Sequence, residues 1–375
     1  MQQSGWSVAR RIVPIGLACA VATLAPIAAS AQAPPKPRPS TSKPTGPKWE
    51  VSFHGGFATG SATPDGVSST PPAGETFTMA DGLTPTRAVS SWYFGDGAAL
   101  LNQVLQFRGV TARLDSLHLP GWTAASRQSG LQIGARIARR VKGGVWFEGG
   151  VDLGLDPLGF DSEVRDRVEN TRADFETAFK ALAASAAAII ATSTVTSTAD
   201  FNPNGQRLIV SGVVQYRGDG PVMRPYLLAG MGAAAAFGDP ATLTLTGTYR
   251  FTPPGQPAIE ETDTVRLGYE ASGSIVWILG GGMMRDLSKS SAYRVEVRLL
   301  SSSTKLSGGL DAEPSRLTAS PGGALVLNGT TPGLQFSSST IRPTLSGAAI
   351  RGFDAFTGEG RAYQWVISAA YVRRF

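Results

Sequence analysis

Tyr363, Trp365, Ile367, Ala369 and Tyr371 occupy every second position of the segment 361–375, and Phe375 keeps the same parity. Period two is the spacing of a strand whose two faces meet different surroundings. At about 3.3 Å per residue and a tilt of about 40°, Trp365 and Phe375 stand about 25 Å apart along a barrel axis, the height of the apolar band between the aromatic girdles of a transmembrane barrel. The alternation begins at 49–59, where Trp49, Val51, Phe53 and Phe57 share one face and Glu50, Ser52 and His54 the other. It returns in 131–138, 145–153, 207–216, 225–235, 275–286 and 293–301.

The connections sort by length. Short ones fall at Lys142-Gly143-Gly144, Asp219-Gly220-Pro221 and 287–291, where small and flexible residues suit tight turns. Long ones fall at 60–130, 154–206, 237–268 and 302–360, all on the opposite side. Short periplasmic turns facing long extracellular loops are the asymmetry of outer-membrane barrels. The pattern therefore predicts an all-β fold, an antiparallel up-and-down transmembrane β-barrel of about eight strands with long extracellular loops. One loop carries an α-helix: over 161–190, Val164, Val168, Phe175, Phe179, Leu182, Ala186 and Ile189 recur in steps of three, four or seven. Glu163/Arg167 and Glu176/Lys180 are favourable pairs on its wet side. In the third long segment, Leu243, Leu245, Tyr249 and Phe251 predict a hairpin above the membrane, since Glu260, Glu261 and Asp263 on its return run do not suit lipid.

Composition narrows this little. Charged residues make up 17 % of the 375, with 45 Gly, 25 Pro and a net charge of +6. No basic stripe concentrates that charge, so nucleic acid is not an expected partner. The first residues do change the picture. Arg10-Arg11, an apolar run over 12–28 and the small residues Ala29-Ser30-Ala31 have the order of a secretory signal, with cleavage expected between Ala31 and Gln32. The single cysteine, Cys19, lies in this leader, which fits an exported chain without disulfides. The expected organisation is a signal peptide at 1–31, a Pro-rich periplasmic linker at 32–48 and the barrel at 49–375, its loop helix at about 161–190.

The inward parity holds the candidate chemistry: Glu50, His54, Arg136, Arg140, Glu148, Asp152, Arg294, Glu296 and Arg298. A narrow barrel is only just wide enough for its own side chains, so charges inside it must pair. These nine residues are expected to form a lumen charge network. Catalysis is not expected: Glu50, Ser52 and His54 lie in a row along one strand and do not converge on one proton. His118, with Asp115 and Ser116 nearby, lacks a second base. Two histidines are too few for a zinc site, and no cofactor is expected. Gly230-Met-Gly232 and Gly280-Gly-Gly282 do not precede a helix as phosphate-binding loops do.

Taken with the leader, the loop asymmetry and the segment 224–232, the ending Ile367, Tyr371, Phe375 resembles the small bacterial outer-membrane barrels typified by the transmembrane domain of outer membrane protein A. The resemblance implies residence in the bacterial outer membrane and an assembly signal at Ile367, Tyr371 and Phe375. Arg373 departs from the pattern where an apolar residue is usual. Implied partners are outer-membrane lipids and lipopolysaccharide, with the barrel-assembly machinery and periplasmic chaperones during biogenesis; the chain is expected to be a monomer. The expected role is structural or interactional at the cell surface, without an open pore and without enzymatic activity. A narrow porin for small solutes is the first alternative and a lipid-modifying barrel enzyme the second.

Overall fold

The computed structural model describes residues 48–62, 65–78, 85–118, 125–220, 222–316, 322–329, 333–338 and 342–375. The leader, its cleavage point at Ala31 and Gln32, and the linker as far as residue 47 lie outside these residues.

Eleven long strands carry the fold: β1 (Trp49–Ala58), β2 (Gly130–Lys142), β3 (Val145–Leu155), β4 (Thr192–Asn202), β5 (Gln206–Arg217), β6 (Met223–Phe237), β7 (Ala241–Thr252), β8 (Ile259–Ala271), β9 (Ser274–Asp286), β10 (Ser291–Ala312) and β11 (Ile350–Arg374). Antiparallel ladders run from β1 through β2, β3, β5, β6, β9 and β10 to β11, and β11 pairs back onto β1 in register from Glu50↔Arg374 to Ala58↔Val366. Closure removes the free edges that an open sheet would leave. On this wall the outward side chains are apolar, among them Phe53, Ile137, Phe147, Val214, Leu227, Trp277, Val295, Trp365 and Ile367.

An eight-stranded barrel with long loops is nevertheless the wrong description. The sheet has 13 strands, because β4, β7 and β8 join the eight of the wall through β10, Gly66–Ser68 joins through β11 and Ser315–Arg316 through β8. The cause lies in β10 and β11, which are 22 and 25 residues long and stay paired from Ser291↔Arg373 to Ala312↔Ile350. At about 3.3 Å per residue they reach far past a hydrocarbon band of about 25 Å. Beyond the end of β9, the backbone groups of β10 need another partner. β8 supplies it, pairing Val265↔Ala312 through Ala271↔Leu306 on the edge that β9 occupies lower down.

The long connections are accordingly not loops but a second folded body. α1 (Gly95–Phe107) and α2 (Ser162–Ser185) pack with β4, β7 and β8 around a core that includes Trp92, Tyr93, Leu101, Leu105, Phe175, Phe179, Tyr249, Phe251 and Phe336. The apolar stripe of α2 drives this, with Val164, Val168, Phe175, Phe179 and Leu182 buried and Phe179 stacked on Tyr249 at 4.5 Å between ring centroids. Residues 186–189 form turns beyond the helix. Among the described residues no helix is long and apolar enough to cross a membrane.

Candidate functional site

Side chains at alternate positions of the closed wall converge inside it, and they form three levels. At the end near the short turns, Glu50 accepts from Arg217 Nη1 at 2.6 Å and from Arg374 Nε at 2.9 Å. Arg374 also pairs with Asp286 at 2.7 Å, and the Arg217 guanidinium lies 4.0 Å over the Trp146 ring.

The middle level is built on two glutamates. Glu148 accepts from Arg294 Nη1 at 2.6 Å, Gln215 Nε2 at 2.7 Å and Arg298 Nη2 at 2.8 Å. Glu296 accepts from Arg136 Nη1 at 2.7 Å, Tyr226 Oη at 2.7 Å and Arg298 Nε. His54 Nε2 donates to Asp152 Oδ1 at 2.5 Å. The sequence permits two of these contacts by leaving a side chain out. His54, Gly134 and Asp152 share one register row across β1, β2 and β3, and a Cβ on Gly134 would sit 2.5 Å from the imidazole. Tyr226, Gly282 and Glu296 form a matching row across β6, β9 and β10, and a Cβ on Gly282 would sit 2.6 Å from the phenol oxygen. In each row the outer pair meets over the glycine.

Above this level Ile209, Ile278, Leu300 and Val366 form an apolar collar. At the distal mouth, Asp156 accepts from Arg207 Nη2 at 2.8 Å and Gln364 Nε2 at 3.0 Å. Six guanidiniums (Arg136, Arg207, Arg217, Arg294, Arg298, Arg374) thus face six carboxylates (Glu50, Glu148, Asp152, Asp156, Glu296, Asp286), and all but the half-buried Asp286 are buried. Equal numbers of opposite charge, in direct contact, are what a low-dielectric interior demands.

Eight of the nine residues expected in the lumen meet there. Arg140 does not. It follows the inward parity, but the β2–β3 register shifts between Arg140 and Lys142, and at this rim its Nε donates to Gly143 O at 2.9 Å. Sequence reasoning missed Asp156, Arg207, Gln215, Arg217, Tyr226, Gln364 and Arg374. Their signal was present, since Gln215 and Arg217 continue the inward parity of β5 and Gln364 and Arg374 that of β11. Ile367, Tyr371 and Phe375 all face outward and are about half to two-thirds exposed, at 52 %, 49 % and 68 %.

The arrangement suits cohesion, not proton transfer. Ser52 Oγ accepts from Arg294 Nη2 at 3.3 Å while His54 is turned to Asp152, so serine, histidine and acid are not in series. His118 stands on the distal body with Ser116 Oγ 3.0 Å from its Nδ1. Among the described residues no group of three His, Cys, Asp or Glu side chains is placed to hold a metal.

A closed wall that is apolar outside and ionic inside defines an outer-membrane β-barrel: in hydrocarbon every backbone polar group must be satisfied by the wall itself. No known family and no curated protein matches the chain. Among solved structures, the chain is similar to the outer membrane protease OmpT from Escherichia coli, with 10 % identity over 88 % of this chain and 98 % of that one, at a TM-score of 0.26. It is similar to the CymD monoaromatic hydrocarbon channel at 9 % identity over 88 % and 89 % of the two chains, TM-score 0.18. The P. putida toluene transporter TodX gives 11 % identity over 89 % and 91 %, TM-score 0.16. Overlap of this size decides nothing about the chain, whose class rests on its own wall and lumen.

Proposed function

We propose that this protein is a non-conducting outer-membrane anchor that holds a folded, water-facing body at the cell surface for structural or interaction purposes. One observation carries the reading: β10 and β11 pass without a break from a wall enclosing paired charges into a body with a large apolar core of its own. A barrel filled by its own side chains has no volume to offer a solute, and Ile209, Ile278, Leu300 and Val366 add buried apolar side chains to the paired charges. The distal body is where a partner has access. Its sheet carries an open groove of about 450 Å³ lined by polar groups that include Arg266, Glu270, Asp311 and Asp354.

On this reading the chain is a monomer and not an enzyme, and the outward side chains contact outer-membrane lipids and lipopolysaccharide. The likeness to the outer membrane protein A group enters at one place only: Ile367 and Tyr371, outward on β11, and Phe375, just past its end, are the positions that the barrel-assembly machinery would read.

Planar-bilayer recording of the purified full chain tests the reading, together with protease treatment of intact cells. The expected results are no conductance above the lipid background and cleavage within the distal body. Steady, salt-dependent single-channel steps would sink the proposal in favour of a narrow porin.

A further inference from the structure

The lipid-facing surface of the wall is not evenly filled. Outward side chains form rows across β6, β9, β10 and β11, and one row has a gap: Leu227, Gly281, Val297 and Ile367 are ladder neighbours, and Gly281 adds no side chain. In the row below, Met283 and Val295 stand between the shorter Pro225 and Ala369. An open apolar hollow of about 490 Å³ results, with the lumen-facing Gly282 and Glu296 in its floor. It runs from Gly281 to Arg285, about 13 Å along the strand, close to the depth of one leaflet at about 15 Å.

At the end near the short turns the hollow changes character. Met223, Arg285 and Tyr293 close it, and Tyr371 continues their row. Arg285 is exposed and has no hydrogen bond or ion pair among the described residues, and the same holds for Arg373, two residues past Tyr371 on the same face. The carboxylate next in sequence, Asp286, is taken by Arg224 and Arg374. Arg139, by contrast, lies over the Trp49 ring at 5.1 Å. Lys142 and Lys289 add exposed cations along this rim, and of its described residues Asp219 alone is an exposed acid. A guanidinium beside hydrocarbon turns its head to the interface, where lipid phosphate accepts from it. Inside the wall each guanidinium meets a carboxylate of this chain; outside it Arg285 and Arg373 do not.

We propose that this hollow binds one anionic glycerophospholipid of the periplasmic leaflet. One acyl chain lies along Met283 and Val295 over Gly281, and the phosphate accepts from Arg285 beside Tyr293. The assignment rests on the wall's lying in lipid, not on whether the lumen conducts. Lipopolysaccharide belongs to the other leaflet, across the apolar band from the short turns. A zwitterionic headgroup brings an ammonium into a rim already rich in cations, so a net negative headgroup of the phosphatidylglycerol type is favoured. A second copy of the chain docked face to face would set two cationic rims against each other.

Native mass spectrometry of the full chain, released from detergent that holds equal amounts of phosphatidylglycerol and phosphatidylethanolamine, tests the site. The parent chain is expected to retain one phosphatidylglycerol in preference. Arg285→Gln is expected to lower that preference about five-fold, the worth of one arginine at an anionic lipid surface. Gly281→Leu fills the hollow and is expected to reduce retention of both lipids. Heat-modifiable gel migration checks that each variant folds; should Gly281→Leu fail to assemble, the parent and Arg285→Gln decide. Equal retention of the two lipids by the parent, a preference unchanged in Arg285→Gln, or a dimer that excludes lipid overturns the proposal. A heat-modifiable barrel without lipid preference sinks this site alone, whereas a chain that needs no detergent sinks the membrane placement with it.

Discussion

The lower and upper halves of β10 solve opposite problems with the same alternation. Below, Tyr293, Val295 and Val297 face outward while Arg294, Glu296 and Arg298 are buried. Above, without a slip in parity until Gly308, Lys305 and Ser307 face outward while Leu306 is buried, and Leu310 and Ala312 follow it inside beyond that bulge. β11 mirrors this, with Trp365 and Ile367 outward and Gln364 inward below, and Glu359 outward with Phe356 inside above. The backbone does not change; the solvent does. Where hydrocarbon touches the outer face, charge is driven inside and must pair there. Where water touches it, the ordinary apolar core returns. The reversal near Leu299–Ser301, level with Trp277, Tyr363 and Trp365 in the ladders, marks the membrane surface on this wall.

The comparison breaks most readily at Glu148. Replacing Glu148 with Ala removes the acceptor of Arg294, Arg298 and Gln215 together. Stranding buried charge in this way costs about 3–5 kcal/mol. The urea midpoint of heat-modifiable migration is expected to fall sharply, or the barrel not to assemble at all. A variant as stable as the parent would mean that water already fills the lumen, which would favour the porin reading over a plug.

The distal body buries acids too, but without a full set of counter-charges, and this gives the middle-sized prediction. Glu261 accepts from Tyr249 Oη, and Arg316 relieves it only in part; Asp263 accepts from Ser91 Oγ at 2.9 Å and Trp92 N at 2.6 Å. Burial pushes Glu261 from 4.5 up to about 8 and Asp263 from 3.8 up to about 7. Both sit in β8 above the membrane band. The unfolded chain releases these protons near pH 4, and the folded body keeps them until pH 7–8. Stability of the distal body is therefore greatest in acid and declines as pH rises through that window, levelling off beyond about 8. Limited proteolysis at pH 5.5, 7 and 8.5 is expected to cut the body progressively faster while the barrel band stays intact. Glu261→Gln is expected to remove about half of this dependence, the rest staying with Asp263; an unchanged slope in that variant would assign it elsewhere.

What could be read beforehand follows the same division. The lipid-facing strands were legible because Trp365, Ile367 and Tyr371, or Phe53 and Phe57, stand out against polar neighbours at period two. α2 was legible because Phe175, Phe179 and Leu182 keep helical steps over a charged face. β7 and β8 were legible as a hairpin from Leu243, Leu245, Tyr249 and Phe251, but their attachment to β10 was not, since a ladder partner leaves no mark in a single strand. β4 reads TSTVTSTADFN, in which water-facing threonines and serines hide the alternation. α1 escaped notice because Gly95 and Gly97 open it and few charges outline its wet face. In the lumen the parity of the charges was readable, whereas their partners were not: His54 and Asp152 are 98 residues apart and meet only because Gly134 lies between them.

The smallest expected effect sharpens the contrast from the other side. Lys180 Nζ lies 2.8 Å from Glu176 Oε2 on α2, a distance as short as several in the lumen. The lysine side chain is 57 % exposed, however, and Glu176 keeps Arg172 Nη1 and Ser197 N as donors when it is lost. In water an exposed pair four residues apart is worth only about 0.3–0.5 kcal/mol, because hydration already satisfies each charge and ordering the side chains opposes the gain. Lys180→Ala is expected to move the proteolytic opening of the distal body by no more than that, and to leave barrel migration untouched. A loss above about 1 kcal/mol, beyond the usual worth of an exposed pair, would show that the α2 surface is covered in the native membrane. The distance between the charges would then matter less than what surrounds them, the same rule that makes Glu148 indispensable a few turns of the sheet below.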